Sequence, residues 1–329
     1  MKEFKSFMKG VNFGGYLSQC EAYTKEHYDS FITEEDFARV VEMGFDHIRL
    51  PIDYEVIMDE DLNFSESGFS YIDFTIENCK KNGLNMVLDL HRTPGFSFDP
   101  FHNEKGLFDS KELQDHFYDI WDELAKRYAK YSDMLAFELL NEVTDPRYMD
   151  TWNNMAERCV AMIRRYSEDI KILIGGYNNN SVEAVEAITP PFDDNIVYNF
   201  HFYEPLVFTH QGAPWIATMD TEFRCPFEMT YADYERYSSK YLNQAYSDFT
   251  KYDMNCKIDE KYFEDLIRSA VDVANKRNVA LYCGEYGVID RADKAEAEKW
   301  FKLFDATMDK YKIGHAVWSY RRMDFGLVD

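Results

Sequence analysis

A (β/α)8 barrel is the fold this sequence predicts, on three observations. Eight short apolar runs, of the kind a strand buried on both faces presents, are spread along 329 residues. Helical patterns with a 3.6-residue repeat fill most of the spaces between them. Several runs end in polar side chains, and the C-terminal mouth of a parallel barrel is where such folds keep their chemistry. The most pronounced is Ala136-Phe-Glu-Leu-Leu-Asn-Glu-Val-Thr144, whose apolar run stops at the side-by-side amide and carboxyl of Asn141-Glu142.

Taken in order, Lys9-Gly-Val-Asn-Phe13 reads as the first strand, left at Gly14-Gly15. Thr33 can cap a helix over 34–43, with Asp36 three residues on and Gly44 as its stop. Asp46-His-Ile-Arg-Leu50 is the second strand, ended by Pro51. A helix over 71–82, closed by Gly83, leads to Asn85-Met-Val-Leu-Asp-Leu90, a strand running into His91. The amphipathic pattern over 111–131 carries Trp121 on its apolar stripe. After the Asn141-Glu142 strand come a helix over 151–166 and the strand Lys171-Ile-Leu-Ile174, with Gly175-Gly176 at its exit. Asn195-Ile-Val-Tyr-Asn199 is the sixth strand and runs into His201 and Tyr203.

The alternation then breaks. Residues 205–259 are rich in Tyr, Phe and Asp and hold no strand on schedule, so they read as a subdomain inserted over the barrel mouth, expected to form part of a cleft wall. A helix over 260–276, the strand Ala280-Leu-Tyr-Cys-Gly-Glu285, a helix over 293–312 and the strand Gly314-His-Ala-Val-Trp318 complete the count. Residues 319–329 carry no helical pattern, so the final helix of the outer ring is expected to be missing. That absence would leave an apolar seam between the helices over 34–43 and 293–312, open to self-association, to another partner or to an earlier segment.

Composition narrows the ligand. A net charge of −24 excludes nucleic acid, which demands a basic stripe, and disfavours a polyanionic substrate, while a neutral polysaccharide meets no penalty. Six cysteines are scattered without a C-x-x-C and read as buried free thiols. The start of the chain shows no apolar signal core and no run approaches a membrane span, which leaves the compartment open. Trp121 and Trp300 lie inside helical patterns and are expected to pack.

Glu142 and Glu285 each follow a short apolar strand, and two carboxyl groups at strand ends are the minimum apparatus for cleaving a glycosidic bond with acid help. A single Glu in such a place serves as often in a helix cap or ion pair. Further motifs accompany the two. Gly10-Val-Asn-Phe-Gly-Gly15, Phe45-Asp-His-Ile-Arg-Leu-Pro51, Leu88-Asp-Leu-His91, Leu140-Asn-Glu142, Asn199-Phe-His-Phe-Tyr203, Gly284-Glu-Tyr-Gly287 and Ala316-Val-Trp318 follow one another in the chain. Together they resemble glycoside hydrolase family 5, most of all its compact endo-β-1,4-glucanases. The resemblance makes Glu142 the acid/base, Glu285 the nucleophile and the reaction retaining, on a β-glucan substrate with no metal or other cofactor.

The same resemblance assigns supporting duties. Arg49 supplies positive charge beside Glu285, Tyr203 holds Glu285 through its phenol, and Asn141 meets the sugar 2-OH. His91 and His201 orient hydroxyls or the catalytic carboxyls, and Trp318 stacks on a pyranose face or packs in the barrel. Tyr16, Phe208, His210 and Trp215 are weaker candidates for further sugar subsites. Rival readings fare worse: no H-x-H pair follows the first strand, and neither G-x-S-x-G nor a phosphate-binding glycine loop is present. A carbohydrate-binding protein without catalysis, and sibling specificities such as mannanase, xyloglucanase or an exo-acting β-glucosidase, stay open.

Overall fold

The computed structural model describes residues 1–99, 102, 104–242 and 249–328. Eight parallel strands close into one barrel in sequence order: β1 (Lys9–Asn12), β2 (His47–Asp53), β3 (Asn85–Arg92), β4 (Leu135–Glu138), β5 (Lys171–Gly175), β6 (Ile196–Phe202), β7 (Ala280–Tyr286) and β8 (Gly314–Val317). Gly10 pairs with His47 of β2 on one side and Ala316 of β8 on the other, which seals the ring. Lys9, Asn85 and Lys171, each the first residue of its strand, are the strand residues that are not buried.

The helices form where the apolar repeat placed them, over Glu34–Glu42, Lys111–Tyr128, Met149–Ile163, Glu260–Arg277 and Lys294–Tyr311. Asp36 takes the N–H of Thr33 at 2.8 Å, as a capping residue should. One helix starts earlier than expected, at Glu66 rather than Tyr71. Gly68 lies inside its first turn, where the backbone of Val56 passes so close that a Cβ would sit 1.8 Å from the Val56 carbonyl oxygen. Helices over Lys25–Phe31 and Tyr54–Ile57, in the exits of β1 and β2, lack a long enough apolar repeat to be read from sequence. Among the described residues no helix is long and apolar enough to cross a membrane.

The bore is filled differently along its length. Toward the N-terminal end, Val87, Ala136, Leu173, Val197, Ala280 and Tyr282 pack against Phe4 and Phe7, whose rings stack at 4.2 Å. Two residues further along three of the same strands, on the same face, stand Asp89, Glu138 and Asn199, all buried.

Residues 205–259 leave β6 at the mouth and hold the helices Leu206–Thr209 and Tyr231–Tyr241; residues 243–248 lie outside the described residues. The segment is anchored to the loop after β7 and to the first turn of the helix Lys294–Tyr311. Ile289 donates its N–H to Thr209 O at 2.9 Å, and Glu296 takes the N–H groups of Phe227 and Glu228 at 2.7 and 3.1 Å. Its own core is aromatic, with Tyr231 and Tyr252 stacked at 4.4 Å.

No helix follows β8 among the described residues. Residues 319–328 form turns that tie β8 to the helix Glu34–Glu42: Tyr320 and Arg321 donate to Asp36 at 2.7 and 3.0 Å. The face that the helix Lys294–Tyr311 turns toward β1 and β8 carries Asp309, 3.5 Å from Lys9, and Asp305, 3.7 Å from His315. Charged side chains thus occupy part of the ground where an apolar seam is expected. Of the six cysteines, all free, Cys79, Cys159, Cys225 and Cys283 are buried as expected; Cys20 is half-buried and Cys256 exposed.

Candidate active site

Glu285 reaches the bore through an irregularity in β7. Inward-facing residues of a strand recur every second position. Along β6 they are Val197, Asn199 and His201, and Val197 and Asn199 pair with Ala280 and Tyr282. The register then slips, so that His201 pairs with Glu285 and Gly284 is the extra residue. A one-residue slip exchanges the two faces of a strand. Here it turns Glu285 inward and Tyr286 outward, onto Phe304 at 4.2 Å. Gly284 is required at the slip, since a Cβ would lie 2.8 Å from Asn199 Oδ1, which also accepts the Gly284 N–H at 2.9 Å.

Glu142 arrives by a different route. The chain leaves β4 at Glu138 and turns, with Glu142 at φ +43°, a left-handed conformation rare outside glycine. Glu142 and Glu285 are 8% and 5% exposed, and Glu142, His201 and Glu285 each bring an acceptor or donor atom within 4.8 Å of the other two.

Beneath the pair lies Arg49, fully buried. Its Nε and Nη2 fork onto Glu138 at 2.7 and 2.8 Å; Nη1 donates to Glu285 Oε1 at 2.8 Å and Asn12 Oδ1 at 2.9 Å, and Nη2 donates to Asn141 Oδ1 at 2.9 Å. Asp89 Oδ2 is 3.0 Å from Nη2. A planar guanidinium with five donors suits such a hub, and a Lys could not replace it. Burial opposes its charge, but Asp89 and Glu138 hold it charged to well above the ordinary range. One cation cannot neutralise three carboxylates. Burial accordingly pushes Asp89 up to about 8, against the pull of Arg49, and raises Glu138 as well.

The surroundings of the two glutamates differ. Glu285 accepts from Arg49 on one oxygen and from the Tyr203 phenol on the other, at 2.9 Å. Glu142 accepts from His201 Nδ1 at 2.7 Å and from Asn179 Nδ2 at 2.9 Å, with no cation in contact. Burial raises its pKa, and the Asn179 amide pulls it back. Burial also lowers His201 to about 4, so the imidazole is neutral at neutral pH. Its Nε2 faces the Asn180 amide nitrogen at 3.4 Å, which places the ring proton on Nδ1, donated to Glu142.

The family model for cellulase, glycosyl hydrolase family 5, matches residues 7–324. The chain belongs to that family. It is 41% identical to cellodextrinase A of Ruminococcus flavefaciens over 95% of this chain and 85% of that protein. It is 40% identical to endoglucanase C of Acetivibrio thermocellus, over 97% and 93%. Among solved structures it resembles Thermotoga maritima Cel5A in complex with cellobiose, with a TM-score of 0.76 and 25% identity over 99% of this chain and 93% of that one. As a family 5 member the protein is a glycoside hydrolase.

The fold gathers Arg49, Asn141, Glu142, His201, Tyr203 and Glu285 around one point, linked by the hydrogen bonds above. His91 is one step removed: its Nδ1 meets Asp89 at 2.6 Å and its Nε2 meets Gln19 at 3.1 Å. Trp318 lies parallel to the His91 ring, 5.8 Å away, with 6% of its surface exposed. Two of the weaker candidates lie in packed surroundings. Tyr16 is 1% exposed, and Phe208 is fully buried against Phe227. Trp121 and Trp300 pack as expected, donating to Leu139 O and Glu204 O. Trp215 is 38% exposed, and His210 bridges it to Tyr203 by edge contacts.

Sequence reasoning missed Asn12, Asp89, Glu138, Asn179, Asn180 and Asn199. Glu138 had a signal: a carboxyl inside an apolar strand must find a buried cation, and Arg49 inside another strand is the matching half. Glu142, His201 and Glu285 also form a candidate donor set for a metal ion. Their atoms are already spent on one another, on Arg49 and on Tyr203, so the set does not fit a resident cation.

Proposed function

We propose that this family 5 enzyme is a retaining endo-β-1,4-glucanase, with Glu142 as acid/base and Glu285 as nucleophile. The observation that carries the reading is the pair itself: two buried carboxyls with oxygens within 4.8 Å, one between a guanidinium and a phenol, the other between a neutral imidazole and an amide. Retaining glycosidases hold their carboxyls about 5–5.5 Å apart, while inverting ones need about 6.5–9.5 Å to admit a water.

In the first displacement Glu285 attacks the anomeric carbon while Glu142 gives its proton to the departing glycosidic oxygen. The glycosyl ester removes the negative charge of Glu285, and Glu142, now a carboxylate, takes a proton from the water that attacks the same carbon. The alcohol leaves in the first step, the sugar in the second, and both carboxyls return to their starting state. Arg49 and Tyr203 stabilise Glu285 as it forms and is released from the ester. Asn141 Nδ2, buried without a protein partner, suits the sugar 2-OH, a contact that strengthens in the transition state. Trp318 and Trp215 offer ring faces for neighbouring sugars, and the described part of the segment after β6, which carries Trp215 and His210 beside Tyr203, forms a wall of the cleft.

The stereochemistry of azide rescue tests the roles. Glu285→Ala with azide should give an α-glycosyl azide and Glu142→Ala a β-glycosyl azide; the opposite pattern overturns the assignment. A relative named cellodextrinase favours a second reading, in which short soluble oligosaccharides are preferred to polymer. Reducing-end assays on cellotetraose, carboxymethylcellulose, barley β-glucan and mannan separate the two.

A further inference from the structure

The loop after β5 carries a backbone peculiarity that the reaction outlined above does not use. Asn178, Asn179 and Asn180 stand in succession at φ +48°, +58° and +55°. Asn tolerates the left-handed region better than most residues, but three in a row is strain that the surroundings must hold in place. What the strain achieves is side-chain placement. Asn180 lies over Gly175, where a Cβ would sit 2.1 Å from its Oδ1, and its amide reaches His201. The Asn179 backbone N–H donates to Val143 O at 3.1 Å, fastening the loop to the residue after Glu142. From there Asn179 Nδ2 donates to Glu142 Oε2 at 2.9 Å.

We propose that Asn179 is a positioning residue that sets the protonation equilibrium of Glu142, and with it the upper edge of the working pH range. The inference rests on the reading of Glu142 as acid/base. An amide donor favours the carboxylate over the acid, so its strength decides how far above neutrality Glu142 keeps the proton it must deliver. The other titratable or charged groups around Glu142 are His201 from β6, Tyr203 just after it, Glu285 from β7, Arg49 from β2, and Asp89 and His91 from β3. His201 and Asn179 hydrogen-bond Glu142 directly, whereas His91 and Arg49 act on it without a hydrogen bond to it, and Asn179 is the donor that carries no titratable group of its own. Glu142 is thus poised between desolvation, which keeps it protonated, and two donors that limit the effect, the His201 imidazole on one oxygen and the Asn179 amide on the other.

The test is the pH dependence of kcat/KM on cellotetraose for the wild type, Asn179→Gly, Asn179→Asp and Glu142→Gln. Gly and Asp both accept a positive φ, so the loop can keep its shape while the amide donor is lost. The basic limb should move up by about one pH unit in Asn179→Gly, the equivalent of one modest charge-assisted hydrogen bond. It should move at least as far in Asn179→Asp, which adds a like charge, and the plateau should fall less than about tenfold in Asn179→Gly. A plateau that drops in both variants while the limb stays in place assigns Asn179 a merely structural role and overturns the inference. The residual activity of Glu142→Gln should show no basic limb. If that limb persists, the acid/base reading itself fails; if it vanishes while both Asn179 variants leave the limb unmoved, this inference alone fails.

Discussion

The two halves of the barrel bore are built from the same strands and solve opposite problems. The N-terminal half is closed by Phe4 and Phe7 over mostly apolar side chains, with one neutral polar pair, His47 and Tyr282, hydrogen-bonded at 2.7 Å, and its stability comes mainly from apolar burial. The half toward the mouth replaces that packing with one guanidinium, three carboxylates and three amides, all buried and connected by hydrogen bonds. Burying charge is expensive unless every member is paired, and removing one partner is worse than never having had the pair. The comparison teaches where stability ends and function begins: the lower half can be altered at the expense of the fold alone, the upper half at the expense of both.

Arg49 should give the largest effect. Arg49→Met keeps the volume but strands Asp89, Glu138 and Glu285 without a cation and removes a donor from Asn12 and Asn141. We expect a loss of about 3–5 kcal/mol in stability and about 10²–10³ in kcat/KM, read by chemical denaturation and by cellotetraose hydrolysis on the same preparation. A folded variant with near-wild-type activity would erase the distinction between the two halves.

Phe7 probes the other half. Its ring stacks on Phe4 and lies 5.4 Å from His47, with 5% exposure. Phe7→Ala should lower stability by about 3 kcal/mol. Below the new melting transition its kcat should match the wild type, since no group of the reaction touches it. A kcat lowered tenfold in a fully folded sample would show that the lower half transmits strain to the mouth.

The same contrast explains what was legible in the sequence. The eight strands and the long helices follow from apolar periodicity, which reports burial directly, whereas the closure by Phe4 and Phe7 and the short helices after β1 and β2 do not. Glu142 and Glu285 stood out as a pair at matched strand ends among motifs that together resemble family 5, and Arg49 through the motif that carries it, since a lone charge after an apolar strand is as often a cap or ion pair. Periodicity carries no information on which inward residues meet across the bore, so the Arg49–Glu138 fork and the Asp89–His91 contact were hidden. Strict alternation even points Glu285 the wrong way, and Gly284 hides the slip that corrects it, since a glycine in a strand reads only as a weak point. The Asn178-Asn179-Asn180 turn looked like ordinary loop composition because its meaning lies in backbone angles, not in hydrophobicity.

The smallest expected effect is also the one that tests how the upper half balances its charge. Asp89 accepts from His91 and faces Arg49, and its Oδ1 is buried without a partner. Burial lifts its pKa to about 8, above the ordinary value of 3.8. A carboxyl raised in the folded state holds its proton there after the unfolded chain has released it. Its contribution to stability is therefore full below the unfolded value and is lost steadily as pH rises toward the folded one. Asn resembles the protonated acid in shape and cannot titrate, so Asp89→Asn should remove that loss. Over the single step from pH 6 to pH 7 the wild type should lose about 1.4 kcal/mol more than the variant, read from urea unfolding at the two pH values. An identical slope in both proteins would mean that Asp89 is ionised beside Arg49 throughout. The proton that one guanidinium cannot replace would then reside on Glu138, whose pKa burial also raises, and Glu138→Gln would be the variant that flattens the slope.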